Sequence, residues 1–309
     1  MKKLREVIWL NKIIRILIRL FAYLLPNLIK TKIIPRWRIS GEVRLNIAEK
    51  ISIRYYNKCD DGIVDSIYYN SDGYSEIHEL RLFLGFSKKS KVILDIGANT
   101  GLYSVTAAVS NRAAIIIAVE PYATNTERLT LNVNLNRLTN IEILQKGVGS
   151  DNSNILFSVP VNNQICDVLS ADHEFTSSFY KGMVNFKQIN IPQITIDSLV
   201  EEKNLKQIDL IKIDVENYEL EVFKGAKNTL KNYDPIIFCE IFVNQNKINF
   251  FQEFLQPLGY NCYLILKEGI VRSERLIHNP DCRNYLFSKK KSDEVFLSYK
   301  EMDKILNAL

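Results

Sequence analysis

From Val92 onward the chain alternates short, continuous apolar runs with longer stretches whose apolar positions recur at helical spacing. A strand buried on both faces of a parallel sheet is written as such a run, and a helix lying on that sheet as a one-sided apolar stripe. The runs at Val92–Ile96, Ile115–Val119, Ile141–Leu144, Ile208–Val215 and Ile236–Phe242 therefore predict five strands. Leu102–Val109, Thr124–Leu138, Asn217–Leu230 and Ile248–Leu258 predict the helices between and after them, the third with a stripe of Leu220, Phe223, Ala226 and Leu230. Two further strands follow at Asn261–Leu266 and Asn284–Ser288. Alternation of this kind belongs to an α/β fold with a mostly parallel sheet. Upstream, Ile51–Tyr56 and Asp65–Tyr69 are aromatic and β-branched runs that suggest short strands, with a helix near Glu76–Leu84.

The first strand ends in a glycine turn, Asp95-Ile-Gly-Ala-Asn-Thr-Gly101, and the second stops at Glu120, 19 positions after Gly101. Open α/β sheets bind ligands beyond the carboxyl ends of their strands, where an acid about 20 residues past the glycine loop holds a ribose diol. In the dinucleotide fingerprint a second glycine lets the backbone reach a pyrophosphate; Asn99 occupies that place here. A nucleoside without phosphates is the better match, and S-adenosylmethionine is the leading cofactor on that ground.

Leu94-Asp-Ile-Gly-Ala-Asn-Thr-Gly101, Val119-Glu-Pro121 and Ile208-Asp-Leu-Ile-Lys-Ile-Asp-Val-Glu216, in that order and spacing, resemble the FkbM-type family of S-adenosylmethionine-dependent methyltransferases. The resemblance covers roughly residues 92 to 287. It implies a Rossmann-like seven-stranded sheet, mostly parallel with a terminal antiparallel hairpin. It also implies a cofactor site of Asp95, Gly97, Ala98, Asn99, Gly101, Glu120, Pro121, Gly147, Val148 and Asp214, with Gly147 and Val148 beside the adenine. The family pattern reads D-V-E-G, and Asn217 stands in the glycine's place. Asparagine tolerates left-handed backbone angles, so the turn is expected to survive.

Five acids, Asp95, Glu120, Asp214, Glu216 and Glu240, fall at or just past predicted strand ends. Buried carboxylates need cations, hydroxyls or solvent, which a sulfonium, a ribose and an acceptor would supply. The simpler reading is that Asp95 and Asp214 merely satisfy turn amides. A hydroxyl acceptor requires a base within reach, and Asp214 or Glu216 is best placed, with His173 as the reserve. Asn162–Lys187 shows no clear period and is the candidate substrate loop. Tyr68, Tyr69 and Tyr74 are either acceptor-pocket residues or half-buried packing.

Composition adds two facts. The chain has 309 residues, 47% hydrophobic and 24% charged, which suits a large globular core. Its five cysteines are scattered without C-x-x-C spacing and suggest reduced thiols in a cytoplasmic protein, with no metal site. The net charge of +5 is uneven: residues 1 to 40 hold ten Lys or Arg and one acid, so +9, leaving 5 − 9 = −4 for the rest. A nucleic-acid partner would call for basic residues spread over a binding face, so none is expected.

Arg5, Lys12, Arg15 and Arg19 recur on one side of an apolar stretch closed by Pro26, with Trp9 and Phe21 on the other side. That predicts a basic amphipathic helix too short and too charged to span a bilayer. It would either lie on the inner face of an anionic membrane through residues 1–26 or pack on the body or another subunit. The expected organisation is thus a basic helix over 1–35, an extension packing on or capping the site over 36–90, a methyltransferase domain over 91–290 and a C-terminal helix over 291–309. The leading function is O-methylation of a hydroxyl on a glycan, glycolipid or secondary metabolite, the acceptor small or lipid-linked. A nicotinamide-dependent oxidoreductase and an inactive membrane-bound adaptor of the same fold are the alternatives.

Overall fold

A computed structural model describes residues 7–22, 38–69, 76–161, 171–172, 185–266, 269–279, 283–290 and 295. The expected C-terminal helix, the loop residue His173, Tyr74, Arg5 and Pro26 lie outside these, as do the side chains of Arg19 and Phe21.

Helix α1 (Ile8–Ala22) leads into an antiparallel hairpin, β1 (Ser40–Ala48) and β2 (Ile51–Lys58), then α2 (Gly62–Tyr69) and α3 (Glu76–Ser87). The run Asp65–Tyr69 is helical, not extended as its β-branched and aromatic residues suggested. The Asp61 carboxylate accepts from the Val64 amide at the start of α2, and Asp65 accepts from Arg38 and the Ile39 amide. These fixed partners outweigh a weak local propensity.

The central layer alternates as expected: β3 (Val92–Ile96), α4 (Leu102–Ser110), β4 (Ile115–Val119), α5 (Ala123–Leu135) and β5 (Ile141–Leu144). A small side sheet follows from β6 (Gly147–Val148), β7 (Asn154–Pro160) and β8 (Phe186–Ile194), ordered β6-β8-β7. The chain returns through α6 (Ile196–Glu202) to β9 (Leu210–Ile213), α7 (Glu219–Lys224), α8 (Lys227–Tyr233), β10 (Ile236–Glu240) and α9 (Gln245–Phe254). It finishes with β11 (Asn261–Leu266), β12 (Gly269–Ser273) and β13 (Asn284–Ser288).

The main sheet runs β12-β11-β13-β10-β9-β3-β4-β5, with β5, β4, β3, β9 and β10 parallel and β13 antiparallel between β10 and β11. It has eight strands rather than seven, because β12 pairs with the free edge of β11. Its short exposed-and-buried sequence carries too little apolar signal to be read as a strand.

Residues 217–230 form two helices, not one. Gly225 lies against another chain segment so closely that a Cβ there would meet the Gly149 carbonyl oxygen at 2.0 Å. The helix ends where the backbones touch, a contact invisible in the local pattern.

The sheet is covered on both faces. Hairpin β1–β2 and helices α2–α5 share one apolar core with Ile93, Ile116, Leu210 and Phe238; α6–α9 cover the other face around Leu94, Ile211 and Ile237. Residues 38–69 and 76–87 therefore complete the body's core and pack on the sheet. Tyr69 is buried in that layer and Tyr68 packs beside it, as the packing reading of the two tyrosines expects.

Candidate active site

At the carboxyl ends of β3, β4 and β9 a cleft opens to solvent, where α/β sheets of this kind bind their ligands. The structure brings Gly97, Asn99, Glu120, Pro121, Gly147, Val148, Asp214 and Glu216 together on its wall. Asp95, Ala98, Gly101 and Glu240 are not on that wall. Asp95 is buried behind the loop, where the Ser104 hydroxyl donates to it at 2.5 Å. Ala98 is buried, and Glu240 ends β10.

The glycine turn explains its own sequence. Gly97 has a φ of +80°, and a Cβ there would fall 1.8 Å from the Asp214 carbonyl oxygen. This glycine serves the approach of two strand ends. The loop amides are also committed: Gly97 and Ala98 donate to the Val119 carbonyl, Asn99 to Glu120 and Gly101 to Ala98. A pyrophosphate cradle needs such amides aimed at the ligand. The arrangement disfavours the nicotinamide reading.

Glu120 accepts from the Asn99 amide at 2.9 Å, the Tyr122 amide at 3.0 Å and the Asn125 side chain at 3.4 Å. Burial pushes its carboxyl up to about 7, against the pull of those donors. Asn125 is a site residue the sequence reading missed. Its signal was a polar side chain on the buried face of α5, just after Val119-Glu-Pro121. Also unanticipated are Lys146, Ile155, Phe157, Ala171 and Tyr218; Ile155 and Phe157 of β7 give the cleft an apolar wall.

The turn after β9 presents the other two acids. Asp214 is held by Lys212 at 2.7 Å, whereas Asp95 accepts from both the hydroxyl and the backbone amide of Ser104 in the first turn of α4. Glu216 and Asn217 both adopt positive φ, 50° and 75°, and the asparagine substitutes for the expected glycine at that conformation. Two consecutive non-glycine residues of this kind are strained and need support. Glu219 accepts from the Asn217 amide and is itself paired with Lys247, a buried ion pair beneath the turn. Asn217 also donates to Asp172 at 2.7 Å, tying residues 171–172 over the cleft. Burial, together with the charges of Asp214, Glu240 and Glu219, pushes the Glu216 carboxyl well above the usual range.

One chemical feature unites the wall. Asn99 Oδ1, Asn125 Oδ1 and Glu216 Oε2 are buried acceptors without donors among the described residues. Buried polar atoms of this kind call for partners. A ligand rich in hydroxyl and amino groups and carrying positive charge fits them, whereas a phosphate does not. The residues present thus fit S-adenosylmethionine. No group of His, Cys, Asp and Glu among the described residues is arranged to hold a metal ion.

Residues 95–262, just over half of the chain, match the family model described as the methyltransferase FkbM domain. The hexuronic acid methyltransferase AglP of Haloferax volcanii is 29% identical over 175 residues, 56% of this chain and 66% of that protein. Methyltransferase 1 of Beauveria bassiana is 24% identical over 155 residues, 43% of this chain and 57% of that one. The alignments span less than two thirds of either relative's length. The solved structure of a methyltransferase FkbM from Methylobacillus flagellatus aligns with 85% of this chain and 60% of its own, at 14% identity and a TM-score of 0.42.

Proposed function

The chain belongs to the FkbM methyltransferase family, and from that premise we propose that it transfers a methyl group from S-adenosylmethionine to a hydroxyl of a glycan or other small acceptor. The observation that carries this reading is the cleft wall of unpaired acceptors around Glu120, with every loop amide named above already committed. Glu120 would hold the ribose hydroxyls, Gly97, Asn99, Pro121 and Asp214 the neighbouring parts of the cofactor, and Gly147, Val148, Ile155 and Phe157 its flat apolar end. Asp95, Ala98 and Gly101, set behind the wall, shape the loop rather than touch the ligand.

The cofactor supplies an electrophilic methyl on a sulfonium. The protein's part is to hold the acceptor in line, exclude water and remove one proton as the new oxygen–carbon bond forms and the sulfur–carbon bond breaks. Between the two expected bases the geometry favours Glu216. Asp214 is occupied by Lys212, whereas Glu216 has a free buried oxygen and a raised proton affinity. The relative from Haloferax volcanii, a hexuronic acid methyltransferase, supports a sugar acid or other glycan as the acceptor class. A lipid-linked form of that acceptor, met at the cytoplasmic membrane surface, completes the proposal.

The decisive test incubates the protein with isotopically labelled S-adenosylmethionine and a glycan and lipid extract, followed by mass spectrometry. A labelled methyl on a sugar component is expected; label on none, with tight NAD binding instead, would overturn the reading. Two further results are expected. Glu120→Ala weakens S-adenosylhomocysteine binding by about 1.5–3 kcal/mol, roughly ten- to a hundredfold, with the fold retained. Only the ionised Glu120 accepts from both hydroxyls of a diol, so affinity is full above its pKa of about 7 and falls below it. Calorimetry is expected to show binding roughly tenfold weaker near pH 6 than near pH 8. An affinity unchanged across that range removes Glu120 from the diol.

A further inference from the structure

Helix α1 turns a mixed face to the body: Ile18 joins the core with Ile14 packed against it, and Asn11 is fully buried, donating to the Arg38 carbonyl at 3.0 Å and accepting from the Ser40 amide at 3.1 Å. Arg15 is 3% exposed, with its guanidinium 5.4 Å from the centre of the Tyr68 ring. Ile8 packs at the hairpin, where a Cβ on Gly41 would meet it at 2.9 Å. These contacts fix the helix on the body and leave a stripe of large apolar side chains outside. Trp9 is 66% exposed, Ile13 and Ile16 each 49%, and Leu17 45%. Soluble surfaces rarely present contiguous apolar stripes, and those that exist mark docking sites.

From this stripe we infer that α1 lies flat on an anionic lipid surface, with Trp9, Ile13, Ile16 and Leu17 inserted among the acyl chains. Charge selects that occupant over a second protein surface. Residues 1 to 40 carry +9 while the rest of the chain carries −4, and Lys12 sits exposed beside the stripe. Tryptophan and lysine bordering an aliphatic face suit the headgroup boundary. The burial of Arg15 also corrects the sequence expectation: its guanidinium packs on Tyr68 and does not meet lipid phosphates. Insertion of the apolar face is therefore the main, salt-resistant contribution, and the basic residues add an attraction that salt screens. No described helix is long and apolar enough to cross a membrane.

The position of the helix is tied to the cleft. The hairpin to which α1 is bonded reaches the glycine loop through Tyr55, whose hydroxyl lies 2.8 Å from that of Thr100, and Thr100 donates to Asp61. A surface that orients α1 consequently orients the cleft.

The test uses the full chain with vesicles of phosphatidylcholine and phosphatidylglycerol, compared with phosphatidylcholine alone. Wild-type protein is expected to sediment with the anionic vesicles, only partly released by salt, and to lose on insertion a blue-shifted, bromolipid-quenched emission component when Trp9 is replaced by Phe. Ile13→Ser/Ile16→Ser is expected to weaken partitioning at least about tenfold, because each buried aliphatic carbon contributes to anchoring, while its thermal unfolding midpoint stays that of the wild type. Failure to sediment with anionic vesicles overturns the inference, as does equal binding to neutral ones or by the double variant. Self-association of the wild type that the double variant abolishes, without vesicle binding, overturns it in favour of an interface between copies. None of these readouts depends on methyl transfer.

Discussion

Glu216→Gln is expected to lower turnover about a hundred- to ten-thousandfold while S-adenosylhomocysteine affinity stays within about twofold of wild type. The amide keeps the shape of the side chain and removes its capacity to take a proton. The expected pH behaviour follows from the same group. Burial and three neighbouring carboxylates raise its proton affinity, so the working, ionised form grows as pH rises. Turnover is therefore lost as pH falls through the Glu216 pKa, and the residual rate of the Gln variant should lack that limb. Asp214→Asn is a different lesion: it breaks the pairing with Lys212 and should impair cofactor binding and turnover together. Steady-state kinetics beside calorimetry separate the two. If Glu216→Gln turns over normally, the base lies elsewhere and His173 is the next residue to test.

Gly97→Ala is expected to cost about 2–5 kcal/mol of folding stability, read as a lowered urea midpoint with an unchanged slope. Two independent penalties combine. A side chain at φ of +80° is strained, and its Cβ would need the space of the Asp214 carbonyl oxygen, 1.8 Å away. That oxygen belongs to backbone, which cannot swing aside like a side-chain tip. Separating the two strand ends would also move Asp214, so cofactor affinity should fall with stability. A variant as stable as wild type would mean that the turn can adopt another path.

The strands were legible because burial on both faces leaves an unbroken apolar run, and Val92–Ile96 is buried at every position. Glu120 was legible because its place is set by chain length between two strands. Asn217 was correctly read as a tolerable replacement for glycine, since its φ of 75° is one asparagine can adopt. The buried ion pair of Glu219 and Lys247 beneath that turn was not legible. Lys247 is 28 residues away on another helix and resembles any solvated lysine. The orientation of α1 was hidden for a related reason. Helical spacing shows two faces, but which one meets the body depended on Asn11 finding the backbone of Arg38 and Ser40. The break at Gly225 likewise needed knowledge of Gly149 in three dimensions.

The position of β13 bears on how the chain comes to be folded at all. Among the described residues the last strand of the sheet in sequence is third from its edge in space, wedged between β10 and β11. During vectorial synthesis the ladder that joins the two parts cannot form until Ser288 has left the ribosome, so β10 and β11 wait with open edges. Non-local pairings of this kind slow the search, and unpaired edges invite association with other chains. A nascent chain arrested before Asn284 should accordingly be sensitive to protease and prone to aggregate, and one extended a few residues beyond Ser288 should become resistant in a single step.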